Sequence, residues 1–191
     1  RDAALFGDPV LKSGGTQRAS DRNGDGIVWL VLTSKVQAKK AVGFFVATDF
    51  DDADPKSNKA DLLYIDSAAK PADALAILAH EYQHLLNFAA KVYRPKANGG
   101  QGTLEALWLD EGQAHFAEDA CGYGGENVTL LRQSVFPDFS DTALFESDKD
   151  GLPMRGMAMT FVRYLFEQKG SVGYNRDGSI TDKGGAAWLQ A

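Results

Sequence analysis

The chain reads as an α+β fold, a small sheet near its start packed on a long helix, with a helical part to follow. Three observations predict this. Short runs of branched and aromatic residues fall before residue 70, helical patterning takes over from Pro71, and the first helix of that part is apolar almost throughout. A length of 191 residues with 44% hydrophobic content suffices for one core. A single domain is therefore expected over residues 1–191, its sheet part about 1–70 and its helical part about 71–191.

Residues 27–33 (IVWLVLT), 43–48 (GFFVAT) and 61–66 (DLLYID) are the expected strands, rich in the side chains that suit a pleated, half-buried surface. Two acidic segments lie between and before them. Asp21, Asn23 and Asp25 set oxygen-bearing side chains at positions 1, 3 and 5, with Gly26 at 6, as at the start of a calcium loop. Position 12 is Leu32 where such a loop carries Glu, and a strand follows in place of a helix. On this pattern calcium and a plain Asp/Asn/Gly turn are both open. Residues 49–55 (DFDDADP) read as a solvated loop.

Pro71 suits a first helical position, where its missing N–H is no loss, and Arg94-Pro95 is expected to end the helix that it starts. Within that helix His80, Glu81 and His84 spell H-E-x-x-H. Residues four apart are neighbours on a 3.6-residue turn, so both imidazoles can reach one metal ion. The chain has only 3 His, and two of them fall at this spacing. Two His and a Glu are costly to bury in an apolar helix unless something satisfies them, and zinc does so with Glu81 beside it as general base.

Catalytic zinc usually takes three protein ligands and leaves one position open. The third is sought in a second predicted helix around residues 107–119, where Glu111, His115 and Glu118 recur at i, i+4 and i+7. Glu111 is the expected ligand. Gly112 beside it is a poor helix former, which makes sense if the two motif helices approach closely around an ion. Further helices are expected over 126–136 and 155–170, the last with Met159, Val162, Leu165 and Phe166 on its apolar face.

The sequence from His80 to His84, followed by Trp108-Leu-Asp-Glu111-Gly, resembles the gluzincin metallopeptidases, and within them is most similar to the hyicolysin-type secreted bacterial peptidases. The likeness takes in the D-L-L-Y-I-D strand and the D-x-N-x-D-G segment, and runs from about Asp21 to Gly170. It implies a zincin-like fold with His80, His84 and Glu111 as zinc ligands, Glu81 as base and Glu118 as an acid behind the ligands. It further implies cleavage of protein or peptide substrates outside a bacterial cell or at its surface. Between His84 and Glu111 lie 26 residues, more than in the thermolysin-like and aminopeptidase branches. The G-x-M-E-N segment by which aminopeptidases hold a free amine has no counterpart, which points to internal cleavage. Their Tyr before K-G, a donor to the oxyanion, is also missing, because residues 152–156 read LPMRG. His115, one turn past Glu111, is the nearer candidate for that donor or for a supporting role, with Tyr123 and Arg155 behind it.

The alternative from another class is a non-catalytic surface or binding module in which zinc is structural or lost. The net charge of −6 disfavours nucleic acid as partner. No run of 18 apolar residues suggests a membrane span, and the chain is expected to act as a monomer. Cys121 stands alone and cannot form an internal disulfide. An opening on Arg1 and a close within an apparent helix start suggest a piece of a longer protein.

Overall fold

The three expected strands form at Trp29–Leu32 (β1), Gly43–Phe45 (β2) and Leu62–Ile65 (β3) in a computed structural model that describes residues 1–125 and 151–191. The protein is a mixed α and β structure with small sheets and helices. Its described residues fall into two compact units, one of Asp8–Leu104 and one of Arg1–Gly7 with Glu105–Ala191. The helix predicted over 126–136 lies outside the described residues.

In the first unit the sheet order is β1-β3-β2, with β1 parallel and β2 antiparallel to the central β3. Alternation along β3 buries Leu63 and Ile65, while Leu62 and Tyr64 are half-buried. Helix α2 (Pro71–Phe88) begins at its proline as expected and packs on β2 and β3. Phe50, Leu63 and Leu85 form the core of this layer, with Phe45, Phe88 and Tyr93 against them. The rings of Phe45, Phe50 and Phe88 lie 5.5–5.8 Å apart, in tilted and edge-on pairs that suit aromatic quadrupoles.

Arg94-Pro95 does not end this run. Helix α2 continues through a π-helical turn at Ala89–Tyr93 into a short helix α3 (Arg94–Ala97), with Pro95 in its first turn. At that start the absent N–H costs little, so the proline marks a change of pitch rather than a stop. The acidic loop after β2 is also not wholly solvated. Asp51 and Asp52 are exposed, but Asp49 is buried and accepts hydrogen bonds from the Asn58 backbone at 2.9 Å and the Tyr64 hydroxyl at 2.8 Å. Burial, with Asp49 second, pushes the Tyr64 phenol up to about 12.

The second unit is built on α4 (Leu107–Ala120) and α5 (Leu152–Gln168). Met159, Val162 and Phe166 are buried as expected and meet Phe116 and Leu5, while Leu165 stays half-buried. Gly112 is explained here. A Cβ at this position would lie 2.9 Å from both the carbonyl carbon and the Cβ of Ala158, so α4 and α5 touch where glycine leaves room. The partner in this close approach is thus helix α5.

An antiparallel hairpin follows, β4 (Val172–Tyr174) and β5 (Ile180–Asp182), which was not expected in a helical part. Its turn holds Asp177 and Gly178, the latter at φ 86°, a combination that favours hairpin turns. The Asp182 carboxylate then accepts from the Gly184 and Ala186 backbone N–H groups and opens a last short helix, α6 (Gly185–Leu189). Cys121 is buried, and its thiol donates to Asp2 Oδ1 at 2.9 Å. Burial pushes the Asp2 carboxyl up to about 6 and raises the thiol as well, which leaves Cys121 a poor nucleophile. Among the described residues no helix is long and apolar enough to cross a membrane.

Candidate functional site

His80, Glu81 and Gln83 are buried on α2, and His84 is half-buried. The polar residues of the motif therefore share the packed side of the helix with Ala76, Ala79, Leu85 and Leu86, while Pro71 to Asp73 and Leu75 face outward. The two rings meet nearly edge to face, at an interplanar angle of 78°. Their Nε2 atoms lie 3.1 Å apart. Two nitrogens each about 2.0–2.1 Å from one tetrahedral ion would stand about 3.3 Å apart, so the pair fits zinc as it stands.

Glu81 is set by strand β2. A Cβ at Gly43 would meet the Ile77 Cγ2, the Tyr64 carbonyl oxygen at 3.1 Å and the Glu81 Cγ at 3.2 Å. Only glycine lets this strand lie so close over the helix. Because β2 is an edge of the sheet, the carboxylate stands next to backbone that has one neighbouring strand. The sequence carried a hint in Gly43 at the head of an aromatic strand, where a glycine otherwise weakens pairing.

In the second unit Glu111, His115 and Glu118 are all buried on α4, so the stripe is not a solvated helix face. His115 Nδ1 lies 2.7 Å from Glu118 Oε1. A ring that donates its Nδ1–H to Glu118 is held in one orientation, with Nε2 on the side away from Glu118. That Nε2 lies 4.0 Å from Glu111 Oε2. Arg155, from the first turn of α5, reaches the same Oε2 at 2.8 Å with its Nη1. Tyr123 is exposed beyond the end of α4.

Asp21, Asn23 and Asp25 sit together in the first unit, and their side chains hold their own loop. Asp21 accepts from the Gly24 and Gly26 backbones, Asn23 from Asp25, and Asp25 from Ile27 and the Trp29 indole at 3.0 Å. Sequence reasoning missed a fourth member. Asp61, at the head of β3, is fully buried and accepts from the Arg22 backbone at 3.0 Å, while its Oδ2 meets no donor. Burial, and then the charges of Asp21 and Asp25, raise its carboxyl above the usual range. An acidic residue opening an otherwise apolar strand was the available signal.

No family model matches the chain, and no curated protein matches it.

Proposed function

We propose that the protein is a zinc-dependent endopeptidase of zincin-like fold, with His80, His84 and Glu111 as ligands and Glu81 as general base. The observation that carries this is the convergence of the His80 and His84 Nε2 atoms at 3.1 Å beside a buried Glu81. That Glu111 joins them on one ion is a step taken from the order of the two motifs along the chain.

Zinc in this setting supplies Lewis acidity for a carbonyl and makes water a nucleophile near neutral pH. Glu81 takes the proton of the attacking water and returns it to the leaving amine. Strand β2, as an edge next to Glu81, offers backbone groups along which an extended peptide can pair. His115, oriented by Glu118, offers its Nε2 side, when protonated, as a donor to the charge developing on the carbonyl oxygen.

Metal analysis and casein hydrolysis on one preparation test this. About one zinc per chain is expected, with hydrolysis lost to a chelator and restored by added zinc. Zinc bound without hydrolysis of any peptide would make the protein a non-catalytic module with a structural ion. A protein that takes up no zinc would remove both.

A calcium ion at Asp21, Asn23 and Asp25 is a second part of the proposal, now with Asp61 beside them. The support is Asp61, a buried carboxylate with an oxygen that meets no donor, near two further acids whose charges it feels. Millimolar calcium should raise the melting temperature and leave the zinc content unchanged. No rise, or the same rise in Asp21→Ala, would leave the loop a plain turn.

A further inference from the structure

Arg155 belongs to neither motif, yet it makes a close contact with the acid of the second one. Its Nη1 lies 2.8 Å from Glu111 Oε2, with the Arg155 side chain 25% exposed and that of Glu111 11%. At this distance and with so little water the contact is a close ion pair, tighter than a loose surface one. It also spans a stiff joint. Glu111 directly precedes Gly112, and Arg155 lies one helical turn before Ala158. Gly112 lies against Ala158 where α4 packs on α5, so the separation of the two side chains is constrained by backbone packing.

We propose that Arg155 is the positioning residue of Glu111: by holding Oε2 across the α4–α5 joint, it fixes the orientation in which the Glu111 carboxylate meets zinc. This rests on the zinc reading above. Two effects of the guanidinium oppose each other. Its positive charge weakens the pull of Glu111 on a dication, whereas the ion pair fixes the carboxylate and spares the ion the cost of ordering it. Partners behind metal ligands typically cost 10–100-fold in affinity or activity when removed, so the ordering effect is the larger. In this role Arg155 acts through Glu111 and not on the substrate.

The experiment uses Arg155→Lys and Arg155→Gln, each checked for its melting curve. Zinc affinity is measured by competition with a chelator, the visible spectrum is recorded with cobalt in place of zinc, and kcat and KM are followed on one peptide. In Arg155→Gln zinc affinity should fall about 10–100-fold, the cobalt bands should shift, and KM at saturating zinc should hold. Arg155→Lys keeps the charge but has a single point to bond from, and should recover part of the affinity. If Arg155→Gln does not fold, the cobalt spectrum of Arg155→Lys decides, and one identical to the native spectrum overturns the proposal. Tighter zinc binding in Arg155→Gln would mean that the guanidinium competes with the ion. Unchanged affinity and spectrum with a raised KM would place Arg155 on the substrate. Either result overturns positioning while zinc binding by the native protein stands. A native protein without zinc overturns both.

Discussion

Glu81→Gln should keep the fold and the zinc and lose turnover, by about 10²–10⁴-fold or more, the range for loss of a general base. Glu81 is asked to handle the proton twice, once from water and once to the amine, so the upper end is expected. Glutamine has nearly the same shape, and the contact with strand β2 at Gly43 runs through the Cγ, which both side chains possess. Packing would thus be untouched. Zinc content, melting temperature and peptide cleavage measured together make the check. Full cleavage by Glu81→Gln would sink the proposed mechanism, and zinc lost from this variant would turn Glu81 into a ligand.

His80→Ala, His84→Ala and Glu111→Ala should each lose zinc and activity together. The loss in affinity should exceed the 10–100-fold typical of outer partners, since each removes a bond to the ion itself. The histidine pair is the stronger case, because its Nε2 atoms already converge within one unit of the structure. Added zinc should restore part of the activity of Glu111→Ala. Stoichiometric zinc retained by His80→Ala or His84→Ala would break the assignment at its firmest point. Zinc retained by Glu111→Ala alone would direct attention to His115, whose ring Glu118 orients in the manner usual for a metal-bound imidazole.

Much of this was legible in the amino-acid sequence because the signals were local. Branched and aromatic side chains mark β1 to β3, Pro71 marks the start of α2, and a spacing of four explains why His80 and His84 meet. What escaped depends on residues far apart in the chain. Gly112 looked like a sign of an ion, but its room is taken up by Ala158, 46 positions on. Asp49 looked solvated among its acidic neighbours, and only the fold brings Asn58 and Tyr64 onto it. The hairpin of β4 and β5 has strands of three residues, too short for periodicity to register, although Asp177-Gly178 announced its turn. Pro95 misled because a π-helical turn ahead of it restarts the helix where a proline fits. For Arg155 the sequence suggests only a donor to the oxyanion, and its hold on Glu111 depends on how α4 meets α5.

Gly43 and Gly112 are given no chemistry in the proposal, yet both act as spelling checks on the letters that are. Any collection of chains gathered by H-E-x-x-H and D-E-G alone will contain impostors that match by chance. A chain that shares this packing must also leave a bare backbone where β2 crosses Glu81, and another where α4 rests on α5. A chain with a branched side chain at the first place would lift the strand off its own carboxylate, and one with a bulky residue at the second would pry Arg155 away from Glu111. Two hydrogen atoms in place of side chains thus separate a shared scaffold from a shared string of characters.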